Sequence, residues 1–379
     1  MTILALDLET TIKHNASPYA LGNENGIVCY SLAEGELSCA RKWNNHKDSV
    51  ADVQDLVNDA TVIVGANFKF DAGWLIKAGV SFEGKQVWDV LVAEFLIQRQ
   101  LKKFPSLNDC CEKYDIPIKL DVVKEEYWKK EIDTKDVPWD LLSEYAAHDA
   151  AITLAVYHKQ LPLMTPAMIK LCKLMCQDLF VLQDMEMNGL LYDEQLCETK
   201  SKELDAESTQ IREELAKVYP HLALNFSSGD QLSAFLYGGT IVQTHKEHVG
   251  FYKSGIKKGE PKYQNVEVEH VLPRLFTPLK GTELQKEGYY ETNEPVLRKL
   301  TGKHKPLLDK LLRLSKIEKL NGTYYRGLPK LNKEMNWPKA KLHGQFNQTL
   351  AVSGRLSSSK PNQQNFASEL QDIFVSEFD

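Results

Sequence analysis

Two carboxylates close together on an apolar run mark the place where this sequence departs from ordinary packing. Ile3-Leu4-Ala5-Leu6-Asp7-Leu8-Glu9 reads as a buried strand. Side chains alternate across a strand, so Asp7 and Glu9 share one face while Leu6 and Leu8 take the other. Two ionised carboxylates side by side on a core strand repel each other and resist desolvation, unless a divalent cation accepts oxygens from both. The competing reading is a strand end opening into an acidic surface turn. A second apolar run, Thr61 to Gly65, passes through Asn67 into Phe68-Lys69-Phe70-Asp71, where a helix starts, so Asp71 falls near a strand exit. Residues 138–151 have helical composition and place Tyr145 and Asp149 four apart, on one helical face. Ala150, Ala151 and Ile152 follow, which turns that face inward. Four acids and a tyrosine therefore form one constellation suited to holding a divalent cation.

Asp7-x-Glu9, Asn67-x-x-x-Asp71 with Phe70 before the acid, and Tyr145-x-x-x-Asp149 resemble, in order and spacing, the three motifs of the DEDD-type 3′-5′ exonucleases in their tyrosine variant. Ser353-Gly354-Arg355-Leu356-Ser357-Ser358-Ser359-Lys360-Pro361-Asn362-Gln363-Gln364-Asn365 resembles the motif with which family A DNA polymerases begin their palm, and Met185 to Asp193 resembles the start of that family's thumb. The resemblance implies metal-dependent hydrolysis of single-stranded DNA from its 3′ end. Phosphodiester hydrolysis needs a hydroxide nucleophile, in-line geometry and neutralisation of developing charge, which two cations ~3.5–4 Å apart supply together. Oxygen-rich ligands select two Mg²⁺ (or Mn²⁺) over zinc. By the same resemblance Asp7 bridges both ions, Glu9 and Asp149 hold the ion that activates water, and Asp71 reaches the other largely through water. Tyr145 orients the attacking water, because a phenol with pKa near ~10 is a poor base at neutral pH. Asn67 is implied as a substrate or strand-end contact, Arg355 as a minor-groove contact, and Asn362 and Gln364 as neighbours of a primer-template duplex. An RNA-trimming exonuclease of the same superfamily, or a non-catalytic module that binds DNA or a partner chain, are the alternatives.

Composition agrees with a protein that buries a sizeable core: 43% of the 379 residues are apolar and 26% charged. The formal charge of −6 does not itself favour nucleic acid, so binding must rest on local patches. One such patch spans Arg298 to Lys341, where thirteen Lys and Arg oppose Asp309, Glu318 and Glu334. Lys310, Arg313, Lys316 and Lys319 there read either as a solvated helix face or as a phosphate track. Seven cysteines without a Cys-x-x-Cys pair fit reduced thiols and a cytoplasmic location, in phage-infected cells if the chain is phage-encoded. Cys172 and Cys176 read as a packed helix face. No run reaches ~18 apolar residues, so no membrane span is expected.

Strand-rich spacing followed by helices suggests an α/β fold over residues 1–165, a mixed sheet with an antiparallel meander, in the ribonuclease-H-like form the resemblance implies. Trp88-Asp89 ends a short strand. Asp89 is a helix N-cap or a fifth acid of the cleft, and capping is the simpler role. Residues 166–342 read as a mainly helical, thumb-like DNA-binding region, with an insertion near 238–290 that has room for a short hairpin. Residues 343–379 read as an incomplete palm. The family's polymerase motifs have no match here, so no DNA synthesis is expected from this chain alone. Ile373, Phe374 and Val375 are expected to be exposed beside an open strand edge. That fits either a fragment of a longer polymerase or a split enzyme whose second polypeptide carries the remaining palm and fingers.

Overall fold

Strand β1 (Ile3–Thr10) is largely buried on both faces and lies at the centre of a five-stranded sheet. Strands β2 (Ile27–Glu34) and β3 (Leu37–Lys42) follow it as an antiparallel meander. Helix α1 (His46–Asp59) crosses to β4 (Val62–Gly65), and α2 (Phe68–Ala78) crosses to β5 (Gln86–Asp89), both pairings being parallel. The strand order is β3-β2-β1-β4-β5, the expected mixed sheet. The computed structural model describes residues 2–22, 25–101, 105–118 and 122–377.

Alternation along β1 decides what lies on each side. Leu4, Leu6 and Leu8 pack with Val53 and Val57 of α1 and with Phe68 and Leu75 of α2. Ala5 turns the other way, with Val62 and Val64, and so therefore do Asp7 and Glu9. After α3 (Val90–Ile97), α4 (Leu107–Lys113) and α5 (Val122–Glu126), the long α6 (Trp139–Gln160) lies across β1, β2 and β3 on that second side. Ala146 and Ala150 are fully buried on α6, and their small side chains let the helix approach the sheet closely. Glu94 of α3 has no exposure, yet its oxygens accept from Lys113 Nζ (2.6 Å), Tyr114 Oη (2.6 Å), Gln98 Nε2 (2.7 Å) and Gln160 Nε2 (3.1 Å). Burial alone raises a carboxyl, but these four donors outweigh it and leave Glu94 below its ordinary value. The network pins α3, α4 and α6 together.

Helix α7 (Pro166–Asn188) buries Cys172 and Cys176 in the same core as Trp88 and Val90, which makes them packing residues as expected. By compactness the chain divides into one unit of Met1–Leu196 with Leu328–Asp379 and a second of Cys197–Gly327. In the first unit β6 (Leu190–Leu191) receives β9 (Lys341–Leu342) in a short antiparallel pair. The second unit takes most of α8 (Glu194–Ala216), then α9 (Gly229–Tyr237), β7 (Gly239–Phe251), β8 (Pro261–Leu272), α10 (Glu294–Leu297) and α11 (Lys305–Lys319). Its core joins Ile211 and Leu215 of α8 to Leu308, Leu311, Leu314 and Ile317 of α11. The insertion holds a ribbon of 13 and 12 residues, far longer than the short hairpin expected.

Helix α12 (Gly327–Glu334) leads back to β9 and to the antiparallel pair of β10 (Gln345–Asn347) and β11 (Ser357–Ser359). The expected open edge at Ile373–Val375 is not there. Ile373 is buried, its carbonyl accepts from Asp193 N–H (2.8 Å), Phe374 bridges Tyr192, and Val375 N–H donates to Leu191 (3.2 Å). The segment after α7 covers this stretch, leaving Val375 as its exposed apolar residue. Among the described residues no helix is long and apolar enough to cross a membrane.

Candidate active site

Asp7 and Glu9 stand opposite Ser31 and Cys29 of β2, and the register slips between Glu9 and Thr10, a bulge at the strand end. Asp7 keeps some solvent access, yet desolvation first and the charge of Asp149 second push its carboxyl up to about 8. Asp71, on the first turn of α2, is buried and lies well above its ordinary value, through desolvation and then the charge of Asp7. The charge of Asp7 acts on Asp71 and the Leu8 amide lowers both, which puts the two carboxyl groups near one another. Glu9 joins them through Cys29, whose thiol is pushed up by burial, then by Glu9, then by Asp7. Three segments far apart in sequence thus deliver Asp7, Glu9, Asp71 and Asp149 to one corner of the sheet.

Asp89 holds that corner in place. Its Oδ1 accepts from Leu91 N–H (2.8 Å) and Val92 N–H (3.3 Å), the N-cap expected for α3. Its Oδ2 accepts from Phe68 N–H (2.8 Å), the first residue of α2. One carboxylate therefore ties the start of α3 to the start of α2, three residues before Asp71. Sequence reading missed this second bond. Asn67 precedes it with φ 57°, a left-handed conformation that asparagine tolerates, and its side chain makes no cap.

Tyr145, His148 and Asp149 of α6 line a cavity of about 240 Å³ with Ser106, Asn108 and Lys124. The Trp128 ring meets the Tyr145 ring edge-on, with centroids 5.7 Å apart. A second cavity of about 240 Å³ opens beside Asn67, Lys69 and Phe70, bounded by Gln183, Glu186 and His343. Lys69 pairs with the buried Glu186 and also donates to the Phe346 carbonyl (2.6 Å), fastening α2 to α7 and β10. His343 Nδ1 donates to the Glu186 carbonyl (2.8 Å), and burial holds the ring's pKa below its ordinary value. Neither Lys69 nor His343 carried a signal in the sequence beyond Lys69's place within the second motif.

The donor set fits a hard divalent cation: four carboxylates, with the neighbouring Cys29 and Cys111 thiols both pushed up and so protonated. Among the described residues no three His, Cys, Asp or Glu side chains already converge as a closed cage. The acids are neighbours, not a finished coordination sphere.

The remaining candidates lie apart from this corner in the sequence. Arg355, Asn362 and Gln364 are exposed, and among the described residues no acid pairs with Arg355. In α11, Lys310 pairs with Glu214 (2.6 Å) and Arg313 with Glu207 (2.6 Å) of α8. Lys316 and Lys319 remain exposed on that helix.

Residues 1–164 match the family model for 3′-5′ exonuclease, and residues 265–376 match that for DNA polymerase family A. The two matches together take in well over half of the chain. The chain belongs to DNA polymerase family A. A DNA polymerase I of Synechocystis sp. is 28% identical over 302 residues, 79% of this chain and 26% of that protein. A DNA polymerase I of Chloroflexus aurantiacus is 27% identical over 325 residues, 82% of this chain and 30% of that protein. The chain thus spans between a quarter and a third of the length of these relatives. Among solved structures, the POL domain of Pol1 from M. smegmatis, in complex with DNA primer-template and dNTP, shares the fold with a TM-score of 0.69 at 18% identity. That match covers 98% of this chain and 54% of the other. The N-terminal α/β domain is the family's 3′-5′ exonuclease domain, followed by the helical region.

Proposed function

We propose that the chain is a 3′-5′ exonuclease of proofreading type, removing nucleotides one at a time from single-stranded DNA 3′ ends. What supports this reading most is that Asp71 and Asp149, each from a different motif, both lie within electrostatic reach of Asp7. Asp7, Glu9, Asp71 and Asp149 would hold two Mg²⁺ (or Mn²⁺) ions, which would lower the pKa of water and neutralise charge on the phosphoryl oxygens. The chain's own part is to position. Asp7, which feels Asp149 and acts on Asp71, would contribute to both sites. The Tyr145 phenol, braced by the Trp128 ring, orients the attacking water by hydrogen bond. Asp71 is buried, which limits how far its carboxylate turns out into solvent.

Tyr145→Phe is expected to lower kcat by at most about 10²-fold with little change in KM, since it removes one orienting hydrogen bond. Single-turnover digestion of a labelled strand reads this directly. A loss as large as that from removing Asp7 would assign the phenol a larger role. Exposed, and with no acid partner among the described residues, Arg355 is proposed to contact primer-template duplex together with Asn362 and Gln364, and Lys316 of the second unit is proposed as a separate DNA contact. Arg355→Ala is expected to weaken binding of duplex by ~1–3 kcal/mol while leaving hydrolysis of a short single strand unchanged. Equal losses on both substrates would count against a duplex contact.

A further inference from the structure

The ribbon of β7 and β8 belongs to the Cys197–Gly327 unit, and along it burial is confined to Ile241 and Leu272 near its root. Both faces of its outer half are exposed. A two-stranded ribbon without a core is marginal in water by itself. This one is nevertheless ordered to its tip, where Tyr252 N–H donates to Glu260 (3.0 Å) and Gly259 N–H to Tyr252 (2.9 Å). The outer half carries a small aromatic platform. The His248 ring meets those of Phe251 and Tyr263 at 5.1 and 5.6 Å, and Phe251 and Tyr263 remain 57% and 55% exposed.

Around these rings stand Lys246, Lys253, Lys257, Lys258 and Lys262, all exposed, against Glu247 and Glu260. Among the described residues none of the five lysines forms an ion pair. This differs from Lys310 and Arg313 of α11, which are tied to α8. A protein partner suits the platform poorly, because lysine is depleted from protein interfaces. Duplex DNA keeps its base faces stacked inside, so it offers these rings little. A single strand offers both unstacked bases for aromatic rings and phosphates for lysines, at the spacing of successive nucleotides.

We propose that the outer half of the β7–β8 ribbon is a second binding site for single-stranded DNA, with Phe251 and Tyr263 stacking bases and Lys253, Lys257 and Lys258 contacting phosphates. It does not depend on the nuclease residues.

Fluorescence anisotropy of a labelled oligothymidylate, with the full chain in EDTA so that no digestion occurs, tests this. The double variant Phe251→Ala/Tyr263→Ala is expected to raise Kd at least about tenfold, while Phe251→Trp/Tyr263→Trp retains wild-type affinity. The triple variant Lys253→Ala/Lys257→Ala/Lys258→Ala is expected to flatten the slope of log K against log salt by about 2. Hydrolysis of a dinucleotide with Mg²⁺ restored, too short to use a second site, separates this proposal from the exonuclease reading. Wild-type Kd and salt slope in both alanine variants would overturn it. So would blunt duplex competing as well as the single strand, or variants that change only self-association in sedimentation.

Discussion

Replacing Asp7 by alanine is expected to abolish hydrolysis, by at least about 10³-fold in kcat, while the chain stays folded. Asp7 is the acid that acts on Asp71 and feels Asp149. Losing it would remove an oxygen donor from both proposed ion positions, and each tenfold in rate is only ~1.4 kcal/mol of transition-state stabilisation. Folding should survive, because desolvation and like charge already make this carboxyl a burden to the fold. For the same reason Asp7→Ala is expected to melt no lower than wild type in EDTA, and to lose whatever gain in Tm wild type shows with Mg²⁺. Activity within about tenfold of wild type would remove Asp7 from the site.

Asp89→Ala is expected to damage both stability and activity from a position that touches no substrate. It deletes the N-cap of α3, worth ~1 kcal/mol, and leaves the buried Phe68 N–H without its acceptor, worth a further ~1–3 kcal/mol. A loss of about 3 kcal/mol in denaturant unfolding is the expected sum. The start of α2 is then free to shift, carrying Asp71 with it, and a displacement of ~1 Å in such a site costs about 10²-fold in rate. Asp89→Asn keeps one acceptor oxygen and should fall between the two. A folded Asp89→Ala with wild-type kcat would show that α2 is held by its packing alone.

Much of the site was legible because each motif is local. The acids of β1 declare themselves by interrupting an apolar run, Asp71 by its place at a strand exit, and Tyr145 and Asp149 by helical spacing. Asp89 was legible only in half: its cap lies within its own segment, whereas Phe68 is 21 residues away. Glu186 looks like any acid on an amphipathic helix until Lys69, 117 residues earlier, is seen beside it. The cysteine face of α7 packs on β5 and α3, although the sequence pattern changes near 165. The long ribbon escaped notice for a related reason. Alternation is written into a strand by burying one face, and the outer halves of β7 and β8 bury neither. Cover over Ile373 came from a pairing with residues 191–193 that no local pattern announces.

The most direct test of the central claim is digestion of a 5′-labelled single-stranded DNA by the purified chain with Mg²⁺, with EDTA, and with Asp7→Ala, alongside an RNA strand of the same sequence. The expected result is a ladder shortening one nucleotide at a time from the 3′ end of DNA, present with Mg²⁺ and absent in the other two conditions. Internal cuts, persistence in EDTA, faster digestion of RNA, or an intact strand at every Mg²⁺ concentration would contradict it.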